Sequence, residues 1–259
     1  MTNTETQSDS KKRFSDRVDD YVKYRPSYPE EIINYLEDLN ILQGKSIIAD
    51  VGSGTGILTK LFLDHGNKVY GIEPNTEMRI AGENFLKEFD NFQSIIGSSE
   101  NTNLPDHSID LITAGQAYHW FNVEERAKEF KRILKDRNKD NIILIWNTRT
   151  EIKPFNKELE ELIKKYSKDY NQVSQTQDKN KAKNIFFNKE FKKKIFPNNQ
   201  ILSFEALLGR LQSASYMIKK NDFKYEQFYD ELSKLFHKHE KNGFIILEYE
   251  TEVFYGNLD

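Results

Sequence analysis

The chain has 259 residues, 37% hydrophobic and 13% aromatic, which is enough for one large α/β domain with a substantial core. It contains no cysteine, so disulfides, thiolate metal sites and cysteine nucleophiles are excluded. Its formal net charge of −3 provides no overall basic field of the kind that attracts nucleic acid.

The first 42 residues are predicted to hold a tail and two helices. Residues 1–13 are polar, lack the apolar core of a signal peptide and are expected to be disordered. In "RFSDRVDDYVKY" apolar residues recur at helical spacing, and Arg25 ends this helix because the residue before a proline avoids the α region. "SYPEEIINYLEDLNI" predicts a second helix with a proline near its first turn.

Residues 43–149 alternate between strand and helix patterns. The apolar runs that predict buried strands are "SIIADVG", "KVYGIEP", "FQSIIGS", "SIDLITAG" and "NIILIWN". Helical patterns separate these runs. Such alternation is typical of a parallel sheet that helices cover on both faces.

After residue 149 the pattern changes. Three segments have helical periodicity, "PFNKELEELIKKYSKDY", "FEALLGRLQSASY" and "YEQFYDELSKLFHKHEK", and "FKKKIFPNNQILSF" could hold an irregular strand. We interpret residues 150–242 as a helical and irregular insertion over one edge of the sheet, and residues 243–259 as the final strand of the core sheet. The basic stretch "KNKAKNIFFNKEFKKKIF" could meet RNA or an anionic substrate, but a solvated face with apolar anchors is favoured because the whole chain is mildly acidic.

A glycine-rich turn follows the first predicted strand, in "ADVGSGTG". Gly52, Gly54 and Gly56 permit a tight turn and close approach of the backbone to a ligand, and the next helix points its positive N-terminus there. Dinucleotide-binding turns carry a further glycine at the position that Ile57 occupies here. Asp50, at the strand end, is poorly matched to a pyrophosphate and suits a ligand with an ammonium group.

Glu73 ends the second predicted strand, roughly twenty residues beyond the first glycine of the turn. An acid at this position can accept hydrogen bonds from ribose hydroxyls. A ribose and an ammonium group, without a pyrophosphate, describe S-adenosylmethionine. The alternative for the glycines is a purely structural turn.

Several motifs together resemble the class I S-adenosylmethionine-dependent methyltransferases: "ADVGSGTG", Glu73, "GSSENTNLPDHSIDLITAGQAYHWF" and "IWNTR". "YRPSYP" and "AYHWF" are similar to the branch that contains trans-aconitate methyltransferases and other small-molecule methyltransferases. The resemblance implies a Rossmann-like sheet of seven mostly parallel strands with helices on both faces and an antiparallel last strand. It also implies that residues 14–42 form a lid, that residues 43–149 bind the cofactor, and that residues 150–242 cap the acceptor.

The resemblance implies a cofactor site at the strand ends. Asp50 and the glycine turn would hold the methionine part and Glu73 the ribose, while Gln116 would lie under the methionine end. Pro74, Asn75 and Met78 would border the adenine, and the pair Ser99–Glu100 would contact its amino group. The full predicted set is Tyr24, Arg25, Asp50, Gly52, Ser53, Gly54, Gly56, Glu73, Pro74, Asn75, Met78, Ser99, Glu100 and Gln116.

Candidates for the acceptor side follow the fourth and fifth predicted strands, since ligands of open α/β sheets bind at the carboxyl ends of the strands. His119 is predicted as a general base, with a structural histidine as the alternative. Arg149 is predicted to pair with an acceptor carboxylate, with a surface ion pair near the sheet edge as the alternative. The full predicted substrate-binding set is Tyr21, Trp120, Asn147, Arg149 and Tyr216.

The predicted activity is in-line transfer of a methyl group to a small-molecule acceptor, a carboxylate or another oxygen. An RNA- or protein-directed methyltransferase, or a protein that binds the cofactor without catalysis, stays open. A nicotinamide-dependent oxidoreductase is disfavoured by Ile57 and Asp50. The histidines have no metal-site spacing, and no apolar run reaches the ~20 residues of a membrane span. We therefore expect a cytoplasmic monomer or weak dimer that uses no metal and contacts no membrane.

Overall fold

The computed structural model describes residues 23–118, 121–136, 141–167, 170 and 191–257. The predicted tail and most of the first predicted helix lie outside the described residues. Residues 171–190, which include most of the basic stretch, also lie outside the described residues.

A seven-stranded sheet forms the centre of the described structure. Its strands are β1 (Ile47–Val51), β2 (Lys68–Ile72), β3 (Phe92–Ile95), β4 (Leu111–Gly115), β5 (Ile142–Arg149), β6 (Lys192–Leu202) and β7 (Ile245–Gly256). Their spatial order is β3-β2-β1-β4-β5-β7-β6. The first five strands are parallel, and β7 runs antiparallel to both β5 and β6. The predicted fold class, with its antiparallel last strand, is confirmed.

Helices lie between and beyond these strands. They are α1 (Glu31–Asp38), α2 (Ile57–Asp64), α3 (Thr76–Phe85), α4 (Val123–Ile133), α5 (Pro154–Tyr166), α6 (Phe204–Gln212) and α7 (Tyr225–His239). Among the described residues, no helix combines the length and the apolar character needed to cross a bilayer.

The two faces of the sheet are covered by different helices. On one face, buried side chains of α1 and α2, such as Leu36 and Phe62, pack with Ile143 and Ile145 of β5. On the other face, Phe130 of α4 joins a cluster that includes residues of β1, β4 and β5. Because both faces are covered, the central strands are apolar on both sides, and this is why their sequences are continuous apolar runs.

Three helices, α5, α6 and α7, pack over the N-terminal half of β7. Leu159 of α5, Leu207 of α6 and Phe228 of α7 share one buried cluster with Leu247 and Tyr249 of β7. This cluster holds α5, α6 and α7 against the sheet. Their side chains therefore approach the C-terminal end of β5 and the N-terminal end of β7.

The strand in the added region is regular, whereas the sequence led us to expect an irregular one. β6 pairs with β7 along its whole length, from Lys192 opposite Tyr255 to Leu202 opposite Ile245. It lies at the edge of the sheet and is largely exposed, so its sequence shows little apolar alternation. Pro197 is tolerated because an edge strand needs no partner for each backbone position.

Candidate active site

A cleft opens where the strand order reverses, at the carboxyl ends of β1 and β4. In open α/β sheets this is the position at which ligands bind. The cleft encloses about 480 Å³, including its open mouth. Among the residues that line it are Arg25, Asp50, Ser53, Gly54, Gln116 and Asn147. The topology thus brings together predicted site residues from four separate parts of the sequence.

Asp50 is completely buried near the end of β1. Thr59 of α2 donates a hydrogen bond of 2.6 Å to its Oδ2, and Thr113 of β4 donates one of 3.1 Å to its Oδ1. Burial raises the pKa of Asp50 to about 6, because the two hydroxyls only partly offset the loss of water, and the charge of Glu73 adds to the rise. A cationic group in the cleft would restore the charged form of Asp50.

The glycine turn wraps closely around the end of β1. Gly52 has a φ of +71°, and a Cβ there would lie 2.6 Å from the Cβ of Ala117, so the neighbouring loop leaves room for glycine alone. Gly56, with a φ of +84°, precedes α2, which begins without a side-chain cap. The cleft is therefore lined by backbone and by the uncapped start of a helix, an arrangement that favours polar ligand groups.

Glu73 fixes the next wall of the cleft. Its Oε2 accepts a 2.9 Å hydrogen bond from the N–H of Gly54, and its Oε1 accepts one of 2.8 Å from the N–H of Asn75. Asn75 in turn caps α3 through the N–H of Met78, which is buried. One carboxylate thus ties the glycine turn to the start of α3, and Pro74 lies exposed between these contacts.

Glu100, in the loop after β3, is a hydrogen-bonded carboxylate. Its Oε1 accepts hydrogen bonds of 2.6 Å from the Ser99 hydroxyl and 3.0 Å from the N–H of Asn122. Burial alone would raise its pKa, but these hydrogen bonds outweigh burial and the pKa is lowered. Glu100 is therefore held as an anion beside the N-terminus of α4.

Gln116 and Asn147 connect the ends of β4 and β5 to the N-terminal segment. Gln116 has a φ of +57°, and its Nε2 donates a 3.0 Å hydrogen bond to the carbonyl of Asn147. The Nδ2 of Asn147 donates to the carbonyl of Ser27 at 3.1 Å. These amide contacts hold residues 26–27 beside the mouth of the cleft.

Tyr24 and Arg25 face different surroundings. The ring of Tyr24 packs so closely on Gly209 of α6 that a Cβ there would overlap it. Arg25 lines the cleft, and its Nε and Nη2 each donate a 3.1 Å hydrogen bond to Ser213. Of these two predicted cofactor-binding residues, Arg25 is thus the one that lines the cleft.

Arg149 forms a buried ion pair with Glu160 of α5. Tyr170 donates a hydrogen bond to the same carboxylate, and Tyr216 packs edge-to-face on Tyr170 with ring centroids 5.3 Å apart. Burial would raise the pKa of Glu160, but the charge of Arg149 and the Tyr170 hydroxyl lower it. The ion pair foreseen as the alternative for Arg149 is therefore present, although it is buried rather than on the surface.

The predicted residues Tyr21, His119 and Trp120 lie outside the described residues, so their roles stay predictions. Just before His119, the ring of Tyr118 is buried, with the guanidinium of Arg126 4.0 Å from its centroid. Arg126 is also buried, and burial lowers its pKa.

Comparison with known proteins places the chain in a family. Residues 49–138 match the family described as methyltransferase domain. An uncharacterised methyltransferase-like protein of Schizosaccharomyces pombe is 30% identical over 250 residues, which cover 94% of this chain and 94% of that protein. The chain belongs to the methyltransferase family. This confirms the predicted enzyme class.

Another relative of this methyltransferase matches a part of the chain, and a solved structure matches most of it. A second uncharacterised methyltransferase of Schizosaccharomyces pombe is 33% identical over 153 residues, 59% of each chain. A solved structure assigned as a type II methyltransferase of Anaeromyxobacter dehalogenans covers 91% of this chain and 98% of its own, with a TM-score of 0.66 and 14% identity. That likeness shows the shared fold.

Sequence reasoning missed several polar residues in and beside the cleft. Thr113 lies opposite Asp50 in the parallel pairing of β1 and β4, and a polar residue inside an apolar strand is the signal that would have revealed it. Thr59 lies on the first turns of α2, where only the packing of helix on strand brings it to Asp50. Thr55 also lines the cleft, and among the described residues its buried hydroxyl has no hydrogen-bond partner. The described residues include no cluster of acidic and histidine side chains that could hold a metal ion.

Proposed function

We propose that this methyltransferase transfers a methyl group from S-adenosylmethionine to a small-molecule acceptor by in-line displacement. One observation carries the proposal. Asp50 and Glu73, at the ends of adjacent parallel strands, are joined through the glycine turn, since Glu73 accepts a hydrogen bond from Gly54. This arrangement presents two carboxylates and an open helix N-terminus to one ligand, with the ammonium expected at Asp50.

The chemistry of the cleft fits the methionine part of the cofactor. The raised pKa of Asp50 reflects a buried carboxylate without a counter-charge, which a ligand ammonium group would supply. The unpartnered hydroxyl of Thr55 is a hydrogen-bonding group that a polar ligand would satisfy. We assign the cofactor carboxylate to Arg25, which lines the same cleft, and we place Gln116 under the methionine end.

The adenosine part is assigned to the neighbouring strand ends. Glu73 would accept hydrogen bonds from the ribose hydroxyls, because it is a carboxylate held beside the glycine turn. Met78 and Asn75, with Pro74, would border the adenine. The pair Ser99–Glu100 would receive its amino group, and the lowered pKa of Glu100 supports an anionic acceptor there.

When bound, S-adenosylmethionine supplies a methyl group on a positively charged sulfur, which needs no further electrophilic activation. The work of this chain is then alignment and exclusion of water. The contacts of Asn147 with Gln116 and Ser27 hold residues 26–27 beside the strand ends and would serve that purpose. His119 would act as base only for an acceptor that must lose a proton, and a carboxylate oxygen needs none.

We further propose that the acceptor side is capped by residues 150–242. The packing of α5, α6 and α7 against the N-terminal half of β7 supports this assignment. The motifs "YRPSYP" and "AYHWF" support a place near the trans-aconitate methyltransferase branch, and the acidic overall charge supports a small molecule over nucleic acid.

Cofactor binding is tested by thermal unfolding with S-adenosylhomocysteine and, separately, NADH. We expect S-adenosylhomocysteine at about 100 times its dissociation constant to add about 2.7 kcal/mol to the free energy of unfolding. A shift with NADH and none with S-adenosylhomocysteine would overturn the proposal. Release of S-adenosylhomocysteine from S-adenosylmethionine, with a panel of carboxylic acids, phenols and amines, then tests catalysis. Binding without turnover of any acceptor would favour a non-catalytic role.

A further inference from the structure

Two arginines and a tyrosine meet where the sheet passes under α6. Arg149 of β5 and Tyr249 of β7 are directly opposite each other in the antiparallel pairing, so their side chains share one face of the sheet. Arg210 of α6 lies over that tyrosine. Its Nε donates a 3.0 Å hydrogen bond to the Tyr249 hydroxyl, and its guanidinium carbon lies 5.6 Å from the ring centroid.

Hydrogen bonds connect this cluster to the wall of the cleft. Arg25, which lines the cleft, donates to the hydroxyl of Ser213, and that hydroxyl donates a 2.7 Å hydrogen bond to the carbonyl of Arg210. Asn147, also in the cleft wall, precedes Arg149 by two residues and lies on the same face of β5, about 7 Å away along the strand. The two arginines therefore lie beyond Asn147, next to the wall of the cleft.

The charges of the cluster do not balance. Glu160 is paired with Arg149, and within the described part of the chain no carboxylate lies at ion-pair distance from Arg210. Arg210 is only 7% exposed, and among these residues its guanidinium makes one hydrogen bond, to Tyr249. Burial lowers the pKa of Arg210, and the charges of Arg25 and Arg149 lower it further.

A buried cation without a counter-charge strongly lowers the free energy of unfolding, so folding by itself does not explain Arg210. A neutral donor at this position could make the same hydrogen bond to Tyr249. The remaining N–H groups of Arg210 form the planar fork that recognises carboxylate and phosphate oxygens. This points to an anion that arrives with a ligand.

We propose that Arg210, supported by Tyr249 and Arg149, binds an anionic group of the methyl acceptor, a carboxylate or a phosphate. This inference rests on the proposed function. Because the cluster lies beyond Asn147, the anion is an anchor that positions the acceptor and is separate from the atom that receives the methyl group. Arg25 keeps its proposed role of binding the cofactor carboxylate. It lies at the cleft end of the chain of hydrogen bonds that runs through Ser213 to Arg210.

The test is titration of three probes into the protein saturated with S-adenosylhomocysteine, followed by NMR. The probes are succinate, inorganic phosphate and the neutral analogue succinamide. Binding of succinate alone identifies a carboxylate anchor, and binding of phosphate alone identifies a phosphate anchor. We expect Arg210→Gln to weaken binding of the recognised anion by about 10- to 100-fold, as for loss of charged hydrogen bonds. Absence of binding by both anions, or succinamide binding as well as succinate, overturns the proposal.

Two further variants guard against misfolding of Arg210→Gln. Arg210→Lys keeps the charge without the fork, and Tyr249→Phe keeps the guanidinium but removes its hydrogen-bond acceptor. Each should weaken anion binding by less than Arg210→Gln does. Lys135→Gln is the matched control, since Lys135 pairs with Asp110 at the amino end of β4, away from the carboxyl ends that form the cleft. This variant should bind the anion as the wild type does.

The two proposals fail in different ways. Affinity for S-adenosylhomocysteine should be the same in Arg210→Gln and the wild type. If the wild type does not bind S-adenosylhomocysteine, the proposed function is wrong. If it does, and the anion binds equally to Arg210→Gln, only the anion site is wrong.

Discussion

The Thr59 hydroxyl donates a 2.6 Å hydrogen bond to the carboxylate of Asp50, which is completely buried at the end of β1. This contact joins the strand to the helix that follows the glycine turn, and Thr113 adds a second hydroxyl from β4. Two donors favour the ionised carboxylate, yet burial outweighs them and raises the pKa of Asp50 from 3.8 to about 6. The residue proposed to meet the cofactor ammonium therefore titrates close to neutral pH.

The first prediction is that S-adenosylhomocysteine binds more weakly in acid. Below pH ~6 the free protein holds a proton on Asp50, and the ligand ammonium must displace it. From the raised pKa we expect affinity to fall by about tenfold between about pH 7 and about pH 5. Calorimetry in buffers of different ionisation enthalpy measures both the affinity and the proton released on binding.

Asp50→Asn is the control for this titration. The variant keeps the shape of the side chain, and it should bind S-adenosylhomocysteine weakly with a flatter dependence on pH. The stability of the free protein depends on pH in the opposite direction from the affinity for S-adenosylhomocysteine. Because the folded-state pKa of Asp50 is raised, its contribution to stability is lost as pH rises from about 4 to about 6. An unchanged pH dependence of binding in Asp50→Asn would assign the titration to another group.

The second prediction concerns Glu73, which accepts hydrogen bonds from the N–H groups of Gly54 and Asn75. We expect Glu73→Ala to weaken S-adenosylhomocysteine binding by about 10- to 100-fold, the range for loss of charged hydrogen bonds. An analogue without the ribose hydroxyls separates two causes. Calorimetry should show that Glu73→Ala loses much less affinity for that analogue than for S-adenosylhomocysteine. An equal loss of affinity for both ligands would mean that Glu73 acts only by holding the loop.

The sequence predicted the central strands well because they are buried on both faces. β1, β4 and β5 appear as continuous apolar runs, the pattern of parallel strands that are covered on both faces. β6 was harder to predict, since an exposed edge strand carries lysines and a proline in place of apolar alternation. Its regular pairing depends on β7, which lies more than forty residues away in the chain.

The sequence predicted a site residue only where its residue type and its place at a strand end were informative by themselves. Asp50 and Glu73 stand out as carboxylates that end apolar strands, and the structure places both beside the glycine turn. Thr59 and Arg210 gave no such signal, because their partners come from the packing of separate segments. Arg149 illustrates the limit: its residue type suggested anion binding, and only the fold shows that Glu160 pairs with it.

The third prediction is that the buried pair Arg149–Glu160 is important for stability. The two side chains are only 13% and 6% exposed. Removing one partner of such a pair leaves a buried charge, so Glu160→Gln should lower the free energy of unfolding by about 3 kcal/mol. Urea unfolding measures the change. Asp64→Asn, in the exposed pair with Lys60, should cost less than about 0.5 kcal/mol, and a similar cost for both variants would contradict the prediction.

The last prediction tests how the N-terminal segment is held. The Tyr24 ring packs on Gly209, and a Cβ at that glycine would overlap it. In a helix, glycine to alanine normally gains about 1 kcal/mol, but Gly209→Ala should displace Tyr24 and loosen the segment. We expect faster trypsin cleavage after Lys23, which is exposed, than in the wild type. Gly44→Ala, which enters open space, should be cleaved at the wild-type rate. Unchanged cleavage of a stabilised Gly209→Ala would show that Tyr24 does not pack there.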